Sequence, residues 1–238
     1  MKAVILAGGK GTRLAPYTTI FPKPMLPVGD RPILDIIIQQ LVYYGFKEII
    51  LSVGYMSELI QAYYQNTSKL PKGINLSYVK EEYPLGTAGS LSLIPQQSEP
   101  FLLMNGDTLT TLDYRQLIEY HKLNKGLITI ASHKRQVNID FGVIYVDKND
   151  VLINYDEKPA IDYLVSMGVY VLDPKVLESI PPHQRLDFPD IVKRFLEEGE
   201  KIQAFITEEY WLDIGRHDDY AMAVKEFEQR RHDFLPGV

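Results

Sequence analysis

The sequence contains no cysteine in its 238 residues, which excludes a disulfide framework and any metal site built from thiolates. Histidine is also scarce. The five histidines, His121, His133, His183, His217 and His232, are scattered along the chain. Their spacings do not match those of zinc ligands, so we expect no zinc site.

Positive charge is in short supply as well. The chain has 25 lysines and arginines against 31 aspartates and glutamates, which gives a formal net charge of −6. No run of basic residues offers the positive surface that nucleic-acid-binding proteins use. Nucleic acid is therefore not an expected partner.

Long apolar runs are missing too. No apolar run approaches the roughly 18 residues that a membrane-spanning helix needs. The N-terminus has one lysine and a five-residue apolar run before its first loop, which is too short for a signal peptide. We therefore expect a cytoplasmic protein without a membrane-spanning segment.

The composition that is present, 45% hydrophobic and 24% charged, is typical of a globular protein. After a first short strand, helix and strand patterns alternate. They predict a helix from Pro32 to Gly45, a strand at Glu48–Val53, a helix at Ser57–Gln65, a strand at Ile74–Val79, a helix at Thr87–Leu93, a strand at Phe101–Met104 and a helix at Asp113–Lys122. This succession predicts an α/β fold with a Rossmann-like, mostly parallel mixed sheet flanked by helices, and with ligands at the carboxyl ends of the strands.

From Leu127 on, closely spaced strand patterns replace the alternation of strands and helices. Four strands are predicted, at Leu127–Ser132, Phe141–Val146, Val151–Tyr155 and Tyr163–Leu172, and the last three are interpreted as a meander. Helices at Pro174–Ile180 and Phe188–Gly199, a strand at Lys201–Ile206, a helix at Asp218–Arg231 and a mobile tail at His232–Val238 follow. We interpret residues 1–238 as one domain with a first part (1–125), a smaller β-meander part (126–217) and a C-terminal helix and tail (218–238).

The loop after the first strand suits a polyphosphate. It has three glycines between residues 8 and 11, whose backbone N–H groups are accessible to phosphate oxygens. Arg13 offers a planar fork of donors, and Lys23 is a point charge between two prolines that restrict its backbone. Taken singly, these residues have simpler interpretations as a tight turn, a solvated arginine and a loop lysine. Their combination favours phosphate binding.

This segment resembles the signature of the sugar-1-phosphate nucleotidylyltransferases, also called nucleotide-sugar pyrophosphorylases. The family pattern L-A-G-G-x-G-T-R-L matches Leu6 to Leu14 throughout, and Lys23 follows Arg13 by ten positions in a P-K-P motif. A Walker A loop does not fit, because Lys10 is followed by Gly11 rather than Ser or Thr. The dinucleotide fingerprint does not fit either, because proline-rich sequence precedes the next helix.

Two aspartates are candidate metal ligands. Asp107 follows a buried strand in Asn105-Gly106-Asp107, and a carboxylate there is a hard donor of the kind that Mg²⁺ takes beside phosphates. From the residues alone, an aspartate that caps a turn fits equally well. Asp213 lies in Trp211-Leu212-Asp213-Ile214-Gly215, where from the residues alone it is a helix N-cap. The resemblance implies that both aspartates bind one Mg²⁺.

A second glycine-containing loop, Pro84–Gly89, opens a predicted helix, and its simpler interpretation is an ordinary loop with Thr87 as N-cap. The resemblance implies a nucleobase contact here, in the variant typical of guanylyltransferases for mannose-1-phosphate and heptose-like relatives. The N–H donors of guanine need an acceptor, and Glu81 and Glu82 are both available, although as a pair they equally fit a solvated edge; we select Glu82. The expected nucleotide-binding set is Leu6, Ala7, Gly8, Gly9, Gly11, Thr12, Arg13, Lys23, Glu82, Pro84, Gly86 and Thr87.

The sugar phosphate is expected in the second part of the chain. The resemblance implies contacts from Glu157 and Lys158 of an E-K-P motif, from Gly142 and from Gly168. From the residues alone, Glu157 and Lys158 are a surface charge pair. Ser166 stands where many members have a sugar-contacting asparagine, so the identity of the sugar is open.

The resemblance implies an enzyme that joins an NTP, with GTP favoured, to a mannose- or heptose-like 1-phosphate and releases pyrophosphate. Arg13, Lys23 and Asp107 are the expected catalytic residues, and Mg²⁺ is the expected cofactor. UTP, dTTP or CTP as nucleotide, and phosphocholine as acceptor, stay open. A catalytically silent regulatory homologue and a nucleotide-binding oxidoreductase are the rival functions. The sequence leaves the oligomeric state open, a homo-oligomer included.

Overall fold

The computed structural model describes residues 1–65 and 70–237. The strands are β1 (Lys2–Ala7), β2 (Pro27–Val28), β3 (Arg31–Pro32), β4 (Glu48–Val53), β5 (Asn75–Lys80), β6 (Phe101–Asn105), β7 (Thr108–Thr110), β8 (Ile128–Asn138), β9 (Val143–Val146), β10 (Leu152–Asp156), β11 (Ala160–Leu172), β12 (Ile202–Thr207) and β13 (Trp211–Asp213). The α-helices are α1 (Ile33–Tyr43), α2 (Ser57–Gln65), α3 (Gly86–Gly89), α4 (Tyr114–Asn124), α5 (Lys175–Glu178), α6 (Phe188–Glu197), α7 (His217–Gln229) and α8 (Arg231–Phe234). Short 3₁₀ turns lie at Thr12–Leu14, Tyr17–Thr19, Lys23–Met25 and Ser90–Leu93.

A seven-stranded sheet in the order β12-β8-β11-β6-β1-β4-β5 forms the centre of the molecule. β11 is antiparallel to both of its neighbours, β6 and β8. The other neighbouring strands of this sheet pair in parallel. The predicted mostly parallel mixed sheet is therefore confirmed. Strands from residues 126–217 complete the sheet that the first part begins.

Helices cover both faces of the sheet, because its buried strands are apolar on both sides. On β1, Ala3 and Ile5 face the core that includes α1, α2, α4 and α7, whereas Val4 faces the core that includes α3, α5 and α6. None of the helices in the described ranges has the length and apolar character that crossing a membrane requires.

The predicted meander of the last three strands is wrong. β9 and β10 pair with each other and with no other strand of the described residues, whereas β11 leaves them and inserts between β6 and β8. β8 also runs on to Asn138, because its outer residues pair with the first half of β11. Local patterns located the strands, but pairing between distant strands is not encoded in them. We call residues 133–165 the ribbon; they include β9, β10 and the outer halves of β8 and β11.

The predicted mobility of the C-terminal tail is also wrong. Phe234 in α8 and Leu235 are buried in the core. The ring of Phe234 stacks on that of Phe227 from α7, with the ring centroids 6.1 Å apart. Burial of these two apolar side chains anchors the tail. Val238 lies outside the described residues.

Candidate active site

A cavity of about 400 Å³ lies at the carboxyl ends of β1, β5 and β6. Such an edge is the expected ligand site of an open α/β sheet. Asp107 lines it together with eleven of the twelve residues that the sequence assigned to the nucleotide. These are Leu6, Ala7, Gly8, Gly9, Gly11, Thr12, Arg13, Lys23, Pro84, Gly86 and Thr87. The structure thus brings the two glycine-containing loops together around one space.

Gly11 shapes the first loop. Its φ of 61° lies in the left-handed region, which glycine adopts without steric cost. The Thr18 hydroxyl donates a hydrogen bond of 2.9 Å to the Gly11 carbonyl. A Cβ at Gly11 would lie 2.9 Å from Thr18 Cγ2 and 3.0 Å from Lys23 Cβ. The glycine therefore lets the loop pack against the segment that carries Lys23.

Lys23 and Asp107 form an ion pair in the floor of the cavity. Lys23 lies in a 3₁₀ turn, is buried, and donates through Nζ to Asp107 Oδ2. Asp107 lies in the turn between β6 and β7, and that turn is held by a 2.9 Å hydrogen bond from Gly106 N to the Leu6 carbonyl. The Lys23 ammonium is therefore held in place in the cavity floor by the Asp107 carboxylate.

Strand pairing brings the second aspartate to the same place. β13 runs antiparallel to β7, with Asp213 opposite Thr108, the residue after Asp107. Burial and then the Asp107 charge raise the pKa of Asp213, while Lys23 and Arg13 lower it. Asp213 is in a strand and is not the N-cap of α7, which is Arg216. The helix-cap interpretation of Asp213 is therefore wrong.

The two carboxylates fit a magnesium ion. Asp107 Oδ1 is buried and has no hydrogen-bond partner in the part of the chain that the structure describes. Within the same residues, no group of three or more His, Cys, Asp or Glu side chains is arranged to hold a metal. Mg²⁺ commonly takes one or two carboxylates and obtains its other ligands from water and substrate phosphates. Asp107 and Asp213 provide such a pair of carboxylates.

Arg13 connects this cavity to a second one. The second cavity, of about 270 Å³, is lined by Arg13 and Asp213 and also by Arg135, Trp211 and Arg216. The Arg135 guanidinium lies over the Trp211 ring at 5.2 Å from its centroid. The three arginines of the second cavity outnumber its two carboxylates, Asp213 and Asp219, so this space is suitable for an anion.

The structure places Glu81, not Glu82, in the cavity wall. Glu81 follows β5, and its carboxylate accepts hydrogen bonds from Leu85 N at 3.0 Å and from the Ser52 hydroxyl at 3.4 Å. Burial raises the pKa of Glu81 above its ordinary value. Glu82 is exposed and does not line the cavity, so our selection of Glu82 is corrected. β5 ends at Lys80, and composition does not reveal which of the two glutamates that follow it faces the cavity.

The second glycine-containing loop is tied to the start of α6. Thr87 Oγ1 accepts a 2.8 Å hydrogen bond from Phe188 N, and Thr87 N donates to Asp187 Oδ1 at 3.3 Å. Ala88 N donates to the Leu186 carbonyl at 2.9 Å. Thr87 thus supports the start of α6 rather than acting as the predicted cap of its own helix. These bonds hold the loop in place along the cavity wall.

The predicted sugar-phosphate residues are not gathered in the first cavity. Gly168 is buried and lies against the side chain of Asn105, which lines the cavity. Gly142, Glu157 and Lys158 lie in the ribbon, are exposed, and are not among the residues that line either cavity described above. Tyr155 connects two of them, because its hydroxyl donates to Glu157 at 2.8 Å and its ring lies against Gly142.

Sequence reasoning missed several residues that line the two cavities. In the first they are Pro24, Ser90, Asn105 and Gly106, and in the second Arg135, Trp211, Leu212, Gly215, Arg216 and Asp219. Glu81 was considered as an acceptor but was not selected. Asn105 and Gly106 were visible as the neighbours of Asp107. Arg135 had no local signal, because it reaches the second cavity through the pairing of β8 with β11.

A family model described as nucleotidyl transferase matches residues 2–230. The chain belongs to this family. The resemblance drawn from the N-terminal motif is therefore confirmed over almost the whole chain.

Curated relatives include several sugar-1-phosphate nucleotidyltransferases of the nucleotidyl transferase family. D-glycero-alpha-D-manno-heptose 1-phosphate guanylyltransferase of Campylobacter jejuni is 34% identical, over 92% of this chain and 97% of the relative. UTP–glucose-1-phosphate uridylyltransferase of Synechocystis is 29% identical, over 100% of this chain and 66% of the relative. Mannose-1-phosphate guanylyltransferase of Mycobacterium tuberculosis is 31% identical, and the match spans 62% of its length. The chain thus covers less than two thirds of the last two proteins.

A solved structure supports the same fold. The crystal structure of HddC from Yersinia pseudotuberculosis superposes with a TM-score of 0.72 at 27% identity, and covers 95% of this chain and 99% of that one. A second structure of HddC holds GMP-PN and superposes with a TM-score of 0.70.

Proposed function

We propose that the protein transfers a nucleotidyl group from an NTP, with GTP favoured, to a sugar-1-phosphate and releases pyrophosphate. One observation carries this proposal. A single cavity at the carboxyl edge of the sheet collects the glycine loop, Arg13, Lys23 and Asp107, and Asp213 is brought beside it by strand pairing. The mannose- and heptose-1-phosphate guanylyltransferases among the relatives support the same reaction class.

The reaction is an in-line displacement at the α-phosphorus. A phosphate oxygen of the sugar phosphate forms a bond to the α-phosphorus while the bond to the β-phosphate breaks and pyrophosphate leaves. The attacking oxygen is already an anion, so the reaction needs no general base. Positioning of the substrates and neutralisation of charge supply the acceleration.

The residues of the cavity have separate roles in this proposal. Lys23, held by Asp107, stabilises the charge that builds on the α-phosphate oxygens, and Arg13 binds the departing pyrophosphate. Mg²⁺, when bound by Asp107 and Asp213, supplies a further positive charge at the phosphate. Arg135 and Arg216 in the second cavity, and Lys158 on the ribbon, attract the sugar phosphate.

Glu81 is the acceptor for the base. Guanine presents an N1–H and an N2–H₂ group, and the Glu81 carboxylate in the cavity wall is able to accept from both. The guanylyltransferase relatives and the GMP-PN complex of HddC support this preference. UTP is the alternative nucleotide, because one of the relatives is the Synechocystis uridylyltransferase. The sugar is proposed only as mannose- or heptose-like, and the cytoplasmic location stays a prediction.

A pyrophosphate-release screen tests the proposal. GTP, UTP, dTTP, CTP and ATP are each combined with mannose-, glucose- and heptose-1-phosphates and with phosphocholine, in the presence of Mg²⁺. We expect release with GTP and a mannose- or heptose-like 1-phosphate. Faster pyrophosphate release with UTP than with GTP would mean that the enzyme prefers uracil to guanine. Silence across the panel would favour the catalytically silent regulatory homologue.

A further inference from the structure

The segment between β1 and α1 carries two of the proposed catalytic residues but has little regular structure. Residues 8–32 form three short 3₁₀ turns and the two-residue strands β2 and β3. Arg13 and Lys23 each lie in one of these turns. We call residues 8–28 the phosphate loop. Irregular segments open more easily than helices and paired strands, whereas phosphoryl chemistry needs its charges at fixed positions. Order in the phosphate loop therefore depends on contacts from elsewhere in the chain.

Helix α7 supplies two such contacts through hydrogen bonds to backbone carbonyls. His217 Nε2 is 2.9 Å from the Ala15 carbonyl oxygen. A carbonyl only accepts, so Nε2 carries the proton and donates it. The Tyr220 hydroxyl donates to the Pro27 carbonyl at 2.6 Å. The two bonds hold the phosphate loop at points that flank Lys23 in the sequence.

Aromatic contacts connect the two hydrogen bonds. The ring of Tyr17, in a turn of the phosphate loop, lies with its centroid 5.6 Å from that of His217 and 5.6 Å from that of Tyr220. Aromatic pairs interact at centroid separations of about 4.5–7 Å. His217 and Tyr220 are three positions apart and so share one face of α7. The same face carries Phe227, whose ring lies against Gly29 just beyond the loop.

The first turn of α7 also holds the turn that follows the second aspartate. The Asp219 carboxylate accepts hydrogen bonds from Arg216 N at 2.8 Å and from Gly215 N at 3.2 Å. Gly215 lies against the site, since a Cβ there would be 3.3 Å from Asp213 Oδ2 and 3.4 Å from Arg13 Nη2. One end of α7 thus contacts both the phosphate loop and the aspartate side of the site.

We propose that His217 and Tyr220 are positioning residues of the phosphate loop. They hold the loop against α7 and thereby fix Arg13 and Lys23 at the edge of the cavity. Neither His217 nor Tyr220 is among the residues that line the two cavities described above, so both act through the loop backbone. The kinetic consequence rests on the proposed function, whereas the contact itself does not.

A positioning role predicts a particular split between the kinetic constants. In the ground state the triphosphate moves with a slightly displaced loop, so binding of GTP changes little. The transition state needs the loop charges and the aspartate side at a fixed spacing, so the chemical step is slowed. A misplacement of about 1 Å costs up to about 100-fold in rate. Loss of one bond should therefore lower kcat by about 5- to 30-fold and change the KM for GTP by less than about 3-fold.

Tyr220→Phe is the most specific variant, because it removes the hydroxyl and keeps the ring against Tyr17. Its matched control is Tyr120→Phe on α4. The Tyr120 hydroxyl also donates to a backbone carbonyl, that of Ala204 at 3.3 Å, and its ring packs against Phe205 with the centroids 5.2 Å apart. Ala204 lies in β12, an edge strand that β8, β11 and β6 separate from β1. The control should keep the wild-type kcat.

His217→Ala and His217→Gln form a second comparison. Glutamine offers an amide N–H near the position of Nε2, whereas alanine offers no donor. His217→Gln should therefore recover most of the kcat that His217→Ala loses. A merely structural role would lower Tm and leave the kcat of the folded enzyme unchanged, so kcat is measured well below the Tm of each variant.

Hydrogen exchange of the substrate-free protein tests the contact without an assay of activity. Peptides that cover residues 12–26 should exchange their amide protons faster in Tyr220→Phe and His217→Ala than in the wild type. In Tyr120→Phe they should exchange at the wild-type rate. If the wild type releases no pyrophosphate with any substrate pair, the proposed function fails, and the exchange rates still decide on the contact.

The two parts of the proposal are overturned by different results. Wild-type exchange of residues 12–26 in both α7 variants would overturn the contact. A kcat of Tyr220→Phe within about twofold of the wild type would overturn the positioning role. An equal fall of kcat in Tyr120→Phe, or no recovery of kcat in His217→Gln, would do the same.

Discussion

Replacement of Asp107 by asparagine is the sharpest perturbation of the proposed site. Asparagine keeps the shape of the side chain but removes the negative charge that pairs with Lys23 and that fits Mg²⁺. Loss of one group that stabilises negative charge in the transition state costs about 2.7–4 kcal/mol, and Mg²⁺ without this ligand would no longer supply that stabilisation, so we expect kcat to fall by about 10²–10³-fold. The concentration of Mg²⁺ needed for half-maximal rate should rise as well.

The cost to folding is expected to be smaller. The Lys23 side chain is 10% exposed and that of Asp107 is 23% exposed. Breaking a fully buried ion pair costs about 3–5 kcal/mol, but the partial exposure of Asp107 and the nearby Asp213 carboxylate reduce that cost. We expect a loss of about 1–3 kcal/mol, which lowers Tm by roughly 2–12 °C for a chain of this size.

The assay is pyrophosphate release over a Mg²⁺ titration, with a thermal melt of the same preparation. Asp113→Asn is the matched control, because Asp113 caps α4 outside the cavity and asparagine caps a helix equally well. That variant should keep both its turnover and its Tm. Near-normal turnover of Asp107→Asn at saturating Mg²⁺ would remove Asp107 from the metal site.

Three further predictions concern the base, the sugar phosphate and the tail. Because burial raises the pKa of Glu81, the KM for GTP should fall as pH rises through that pKa, and Glu81→Gln should flatten this profile. Because the pKa of Glu81 is raised in the folded state, its ionisation lowers the stability of the fold as pH rises through that pKa. The Tm of Glu81→Gln should therefore lack this part of the pH dependence. Lys158→Ala should raise the KM for the sugar phosphate by roughly 10- to 150-fold and leave the KM for the NTP unchanged in initial-rate kinetics, because one charge-assisted contact is lost. Phe234→Ala should cost about 3–5 kcal/mol in urea unfolding, because it opens a cavity in the core.

Each of these has an outcome that would contradict it. If the KM for GTP depended on pH in Glu81→Gln as it does in the wild type, Glu81 would not be part of the base site. An unchanged sugar-phosphate KM in Lys158→Ala would return Lys158 to the role of a surface charge. Unfolding of Phe234→Ala within about 0.5 kcal/mol of wild type, as expected for the exposed control Leu123→Ala, would mean that the tail is not part of the core.

Local signals in the sequence predicted the nucleotide side of the molecule well. The strand at Glu48–Val53 and the helix at Ser57–Gln65 have the predicted bounds. The glycine loop and Lys23 line one cavity with Asp107. Those predictions rest on contiguous motifs, whose glycine, proline and charge content determines local backbone geometry and phosphate chemistry.

The errors share a different physical origin. The predicted meander is wrong because β11 pairs with β6 and β8 rather than with β10. A local alternation pattern does not indicate which strands pair. The predicted mobility of the tail is wrong because burial of two apolar residues, Phe234 and Leu235, anchors a segment that its terminal position alone would leave mobile. Glu81 was passed over for Glu82 because which of two adjacent glutamates faces the cavity depends on the exit direction of β5.

The most direct test of the account is the fate of a labelled phosphate. GTP labelled at either the α- or the γ-phosphate is incubated with Mg²⁺ and the sugar-1-phosphate that the screen identifies, and the products are separated. The account predicts that the α-label moves into a nucleotide sugar and that the γ-label leaves in pyrophosphate. A γ-label in the sugar product, or release of inorganic phosphate in place of pyrophosphate, would contradict transfer at the α-phosphorus.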